Sequence, residues 1–167
     1  MVERSGTAGV ARQETLAPRM PSTHLSLHYH LVFSMKHREP WLGPESRARV
    51  HEYLGGTIRG MEGVAHAVGG TGDHVHLLVG LKATHRLADV LRELKSESSA
   101  WIRREFGWPG FAWQEGYGAF TLGASGIERA RTYVLTQEKH HRAKTFQDEY
   151  LEFLERGLVE FDEKWLW

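Results

Sequence analysis

The sequence predicts an α+β domain, and three observations carry the prediction. Residues 24–36 and 73–79 alternate apolar and polar side chains with the period of two that a half-buried strand requires. Residues 44–61, 85–106 and 125–142 instead repeat apolar side chains at three- and four-residue spacings, as helices do. With further strand candidates at 64–68 and 111–122, the order is strand, helix, strand, strand, helix, strand, followed by helices. That order alone admits several topologies.

A chain of 167 residues fits one domain with a real core. It contains no cysteine, which excludes a disulfide framework, a thiolate metal site and a cysteine nucleophile. Any metal must then be held by His, carboxylate, amide or water, a donor set leaning towards a hard or borderline divalent ion. No apolar run is long enough to cross a bilayer. The N-terminus lacks a basic segment followed by an apolar one, so no secretory signal is expected and the protein is read as cytoplasmic, away from membranes. The formal net charge is zero but unevenly spread. Residues 148–167 hold seven acids and two bases, which leaves 19 bases against 14 acids in residues 1–147, a net of +5. A mildly basic body with an acidic end is permissive for nucleic acid.

Residues 1–22 are polar and aperiodic and are expected to be a disordered arm, with Met20 a candidate native start. Residues 23–167 form the single folded domain. In the first strand, Leu25, Leu27, Tyr29, Leu31 and Phe33 share one face; His28 and His30 lie on the other and are read as structural, since nothing later in the chain calls for them, with a site on that side of the sheet left open as the alternative. Lys36, His37 and Arg38 cluster where this strand ends; a phosphate contact and a solvated turn are both open readings. Pro44 to Met61 reads as a helix, Val64 to Val68 as a strand, and Gly69-Gly70-Thr71-Gly72 as the turn of a hairpin.

The hairpin leads into Asp73-His74-Val75-His76-Leu77-Leu78-Val79. His74 and His76 share one face of it, and Val75, Leu77 and Val79 the other. Two imidazoles held close on a rigid strand are a ready pair of metal ligands, although the same pattern suits polar residues on a half-buried strand. Thr84 is the expected N-cap of a helix to Phe106, and Gly107 to Gly110 a turn. Phe111 to Leu122 reads as an aromatic strand. Its Phe111, Trp113, Tyr117 and Phe120 are candidates for core, or for a platform on which bases stack. Ser125 and Glu128 have capping-box spacing, so a helix is expected from Ser125 to about Arg142. It would place Tyr133, Gln137 and His141 on one side. Thr145 and Asp148 cap a last helix to Gly157, and Trp165, Leu166 and Trp167 are expected to dock on the domain or a partner.

If the strand imidazoles and the helix side chains of Tyr133 and Gln137 met in space, three neutral ligands would leave a divalent ion its full charge. Such an ion is a Lewis acid for a phosphodiester, and a phenol beside it can be an in-line nucleophile. Spacing alone does not bring the two elements together.

DHVHLLV, then FAWQEGYGAFTLGASGIERARTYVLTQEKHH, then FQDEYLEFLERGL, with HLSLHYHLVFSMKHREPWL ahead of them, resemble the small single-strand-DNA transposases of bacteria. These are the HUH tyrosine transposases of the insertion-sequence-200 type and their REP-associated relatives. The resemblance spans roughly residue 22 to the C-terminus. It implies a ferredoxin-like or RRM-like antiparallel sheet with helices packed on one face. It implies that His74, His76 and Gln137 bind magnesium or manganese. Tyr133 would be the catalytic nucleophile, becoming linked to the 5′ phosphate of DNA and freeing a 3′-OH. The implied substrate is single-stranded DNA with a hairpin near the element end. The implied assembly is a homodimer in which one subunit's tyrosine helix can complete the other's site. Lys36, Arg38, Trp113, Tyr117, His140 and His141 are the candidate DNA contacts. Two further readings stay open: a non-catalytic RRM-like nucleic-acid-binding module, and a histidine-metal phosphodiesterase with water as nucleophile.

Overall fold

The computed structural model describes residues 23–141, 143–162, 164 and 166. The expected arm at 1–22 and the expected docking of Trp165 and Trp167 lie outside these residues; Leu166 is half-buried. Four strands, β1 (His28–Ser34), β2 (Val64–Gly70), β3 (His74–Gly80) and β4 (Gly118–Leu122), form one antiparallel sheet in the order β2-β3-β1-β4. Each of the outer strands pairs with one of two central ones, as in the ferredoxin-like arrangement. The helices are α1 (Pro44–Gly60), α2 (Leu87–Phe106), α3 (Ile127–Leu135), α4 (Gln137–His140) and α5 (Phe146–Arg156).

The strand alternation decides which side chains meet which helices. Leu31 and Phe33 of β1 and Val75, Leu77 and Val79 of β3 pack with Val50, Leu54 and Ile58 of α1 and Val90, Leu91, Leu94 and Ile102 of α2. This is the main core, and it lies between the sheet and the pair α1 and α2. The later helices cover the other face. There Val134 of α3 packs on Ala67 and Leu78, and Phe153 of α5 packs on His30 and Phe120. The sheet is therefore buried on both sides, which is why β3 is buried along His74 to Val79.

Several local expectations need correction. The aromatic strand begins only at Gly118. Residues 112–114 touch the end of β1 through Lys36 N–H to Ala112 O and Gln114 N–H to Ser34 O. The Lys95 ammonium then gathers the carbonyls of Gln114, Glu115 and Gly116, which draws the chain out of the sheet. Trp113 is core and offers no face for a base. Its ring stands edge-on to Phe33 and Phe111, and its Nε1–H donates to Ser98 Oγ at 2.9 Å. Thr84 is not a cap: α2 follows Arg86, because His85 is occupied in the turn, bonded to Lys82 N and Met61 O. Ser125 is not a cap either. It lies within a 3-10 turn, Ala124–Gly126, and α3 follows Gly126 without a side-chain cap. The single helix expected to reach Arg142 breaks at Thr136, whose backbone leaves the helical region (φ −108°, ψ 21°) and whose hydroxyl bonds back to Thr132 O.

Candidate metal and nucleophile site

The hairpin positions everything that follows. Gly70 has φ +143°, and a Cβ there would lie 2.3 Å from His74 O, so only glycine closes this turn without strain. At Gly69 a Cβ would lie 1.9 Å from Val134 O. The bare glycine backbone therefore lets α3 settle directly on β2, and this brings Tyr133, one residue before Val134, over the histidine strand. Its ring stands edge-on to His76 and to His30, each at 5.9 Å between centroids.

His74 and His76 are 1 % and 0 % exposed, which removes the reading that they are polar residues on a half-solvated strand. Each is fixed from behind. His74 Nδ1–H donates to Asp73 Oδ1 at 2.7 Å, and Arg38 holds the other Asp73 oxygen at 2.6 Å. His76 Nδ1 bonds to His30 Nε2 at 2.9 Å. His141, from the end of α4, enters the same cluster, its ring 4.6 Å from that of His74. Its Nδ1–H donates to Lys144 O at 3.0 Å. A carboxylate and a carbonyl only accept, so His74 and His141 carry their protons on Nδ1 and turn bare Nε2 lone pairs inward. The tautomer in which His76 donates to His30 does the same for His76.

Glu149 of α5 completes the cluster. Its Oε2 lies 3.3 Å from His141 Nε2 and 3.5 Å from His76 Nε2, and its Oε1 accepts the Tyr133 hydroxyl. One potential ligand atom from each of His74, His76, His141 and Glu149 lies within 4.8 Å of all the others. Gln137 is buried on α4; its Nε2 donates to Tyr133 O, leaving Oε1 with no partner. Among the described residues six buried side-chain polar atoms lack a hydrogen-bond partner, and four of them belong to this cluster: His74 Nε2, His76 Nε2, His141 Nε2 and Glu149 Oε2. An orphaned buried polar group costs roughly 1–3 kcal/mol. Four in one cluster, each able to offer an electron pair, fit a cation or a shared proton.

The histidines are held towards their neutral forms, whereas Glu149 keeps a proton near neutral pH in the metal-free chain. Burial holds His30 down to about 4, and burial followed by the neighbouring imidazoles holds His76 well below its ordinary value, so both rings stay neutral, as ligation and its support require. His141 is lowered too, chiefly by burial and then by His74. Burial, with Glu152 nearby, pushes Glu149 up to about 8. Burial would raise Asp73, but its bonds to His74 and Arg38 outweigh this and hold the carboxyl well below the usual range.

His30, Asp73 and Glu149 were not singled out from the sequence. The repeat of His-x-His in the first strand was a usable signal for His30. Glu149 gave none, being one acid among seven near the C-terminus. Of the candidate DNA contacts, Arg38 is paired with Asp73 and stacked over the Phe146 ring at 4.9 Å. Lys36 lines a cleft with Gln114, Glu115 and Gly116, and Tyr117 is exposed on the loop before β4. His140 is half-exposed and faces Glu149 Oε1 at 3.5 Å, while His141 is turned into the cluster.

Fold and site together define a ferredoxin-like sheet that carries a buried histidine-carboxylate cluster beneath a helix-borne phenol. The sequence profile of the family described as "Transposase IS200 like" matches residues 23–137. The chain belongs to this family and is a transposase. No curated protein sequence matches it. Among solved structures it is similar to a candidate transposase from Deinococcus radiodurans R1, with 22 % identity and a TM-score of 0.57 over 70 % of this chain and 95 % of that one. It is also similar to a REP-associated tyrosine transposase bound to a REP hairpin, with 12 % identity and a TM-score of 0.50 over 69 % and 70 %. At these identities the likeness concerns the fold. Among the described residues no helix is long and apolar enough to cross a membrane.

Proposed function

We propose that this transposase cuts and rejoins single-stranded DNA through Tyr133, using a divalent cation held by His74, His76 and Gln137. The observation that supports the reading best is the Tyr133 hydroxyl bonded to a carboxylate of the cluster in which His74 Nε2 and His76 Nε2 have no other partner. In the proposed step Tyr133 Oη forms a bond to a backbone phosphorus, and the bond from that phosphorus to the 3′ oxygen breaks. The leaving strand takes a proton as its 3′-OH, and the 5′ phosphate stays on Tyr133. Attack by a 3′-OH on the phosphotyrosine reverses the bond changes and rejoins DNA, so no external energy source is needed. A bound Mg²⁺ or Mn²⁺ would supply Lewis acidity to the phosphate oxygens. The chain's own part is to orient both imidazoles, through Asp73 and His30, and to keep the phenol against the cluster.

The substrate in this reading is a DNA hairpin at the end of an insertion sequence or REP-type element, the ligand named for the REP-associated relative. Lys36, Arg38, Tyr117 and His140 are the residues of this chain that remain placed to meet it. Residues 23–167 act as one domain, paired as a homodimer. Tyr133 and the histidines of the same chain are adjacent, which favours action in cis. Incubation with Mn²⁺ and single-stranded DNA carrying the flanking repeats of the gene, followed by denaturing electrophoresis, should give a protein-DNA adduct that Tyr133→Phe abolishes. Cleavage persisting in Tyr133→Phe would replace this reading with water as nucleophile. Binding without cleavage, indifferent to His74→Ala, would replace it with a binding module.

A further inference from the structure

We infer that the segment beyond the family match is part of the metal centre: His141 and Glu149 are cation ligands in addition to the expected three, and they make the site selective for a borderline ion such as Mn²⁺ over Mg²⁺. The inference rests on the metal reading above and specifies it. The family profile ends at Gln137. His141 lies at the end of α4 and Glu149 one turn into α5, and Thr145 caps α5 by accepting Asp148 N–H. That cap, with Phe146 packed on His74 at 4.3 Å and Phe153 on His30 at 4.9 Å, seats α5 against the histidine face and leaves Glu149 2 % exposed.

A carboxylate is not buried to this degree without a partner. Tyr133 and His140 face its Oε1; its Oε2 faces His141 Nε2, which presents a lone pair, and His76 Nε2, which does so in the tautomer that donates to His30. Lone pairs facing lone pairs repel, unless a proton or a cation lies between them. Atoms bound to one small divalent ion at about 2.1 Å lie no more than about 4.2 Å apart. The four here lie within 4.8 Å of one another, so the widest separation has to close by about half an ångström or more, adjacent ligands sitting nearer than opposite ones. Three imidazoles and one carboxylate are a borderline donor set. Mg²⁺ prefers oxygen and keeps its water, whereas Mn²⁺ and its heavier neighbours accept nitrogen. Because the other Glu149 oxygen holds Tyr133, the same carboxylate fixes the distance between ion and nucleophile.

The test is calorimetric titration of Mn²⁺ and of Mg²⁺ into the full chain, into Glu149→Gln and His141→Gln, and into His74→Ala, with circular dichroism confirming the fold of each. Mn²⁺ is expected to bind at least about tenfold more tightly than Mg²⁺. Glu149→Gln and His141→Gln are each expected to weaken Mn²⁺ binding by at least about tenfold, the scale that outer-shell partners alone reach. If both bind Mn²⁺ like the parent while His74→Ala loses it, the inference falls and the three-ligand reading stands. If His74→Ala also binds like the parent, the metal reading falls with it. Pulsed electron paramagnetic resonance of the Mn²⁺-loaded parent needs no variant to fold. Three coupled imidazole nitrogens support the inference, and two overturn it.

Discussion

On the face of the sheet turned to α1 and α2, β1 and β3 present Leu31, Phe33, Val75, Leu77 and Val79; the alternate positions of the same strands present His30, His74 and His76 to α3, α4 and α5. Both faces are equally dry: Leu77 and His76 are each 0 % exposed. They differ in what burial leaves behind. Apolar side chains are satisfied by contact alone, so the first face gains stability from being covered. On the second, burial strips water from nitrogen and oxygen atoms that the protein does not pair, so coverage creates a demand for a ligand. A sheet can thus assign stability to one face and chemistry to the other without a change of strand.

Substitutions on each face should break that division in different ways. The largest effect is expected from Leu77→Ala, at about 2–5 kcal/mol of unfolding free energy. Denaturant titration would measure it, and Mn²⁺ affinity below the transition should not move. If Leu77→Ala weakened Mn²⁺ binding as much as it weakened the fold, the faces would not be separable. Gly69→Ala forces a methyl against Val134 O and should lift α3 from β2 at a cost of about 1–3 kcal/mol. Adduct formation through Tyr133 should drop further than stability does, because the tyrosine travels with α3. An unchanged adduct yield at reduced stability would show that the seat of α3 does not position the phenol.

Asp73→Asn keeps the volume but removes the charge and leaves one acceptor oxygen, which cannot serve both His74 and Arg38. It should weaken Mn²⁺ binding about 10–100-fold with little change in melting temperature. A large stability loss with intact binding would place Asp73 in the scaffold instead. A last effect is one of pH. Glu149 sits at about 8 in the folded metal-free chain against an ordinary 4.5, so folding takes up a proton there. The stability this gives is complete below the unfolded value and is lost as pH rises through 8. The melting temperature of the parent in chelator should fall relative to Glu149→Gln between pH 5 and 8, by roughly 2–4 °C for each kcal/mol. Parallel curves for the two proteins would mean that Glu149 is ionised already and that its partner is a charge.

How much of this could be read in advance follows the range over which each cause acts. The His74-x-His76 pair and the apolar set Val75, Leu77 and Val79 follow from strand period alone, and the structure keeps both. Tyr133 and Gln137 were paired as one helical turn. They do end near each other, but across the break at Thr136, with the Gln137 amide bonded to Tyr133 O. The capping reading of Ser125 failed because a capping pattern needs extended backbone at the cap, and that residue is spent in a 3-10 turn. The strand reading of 111–117 failed because Lys95, some twenty residues earlier in the chain, draws off the carbonyls.

By itself, then, the sequence determined the element order, the apolar face, the imidazole pair and the family, because periodicity and short motifs are properties of neighbouring residues. Only the tertiary structure decided that His30 backs His76, that Asp73 aims His74 and that Glu149 joins the histidine cluster to a phenol. These are meetings of residues 46 and 73 positions apart, or of side chains whose roles depend on which atom is turned inward. A carboxylate in an acidic terminal helix carries no mark of its own; it becomes distinctive only when the helix folds back and takes it out of water.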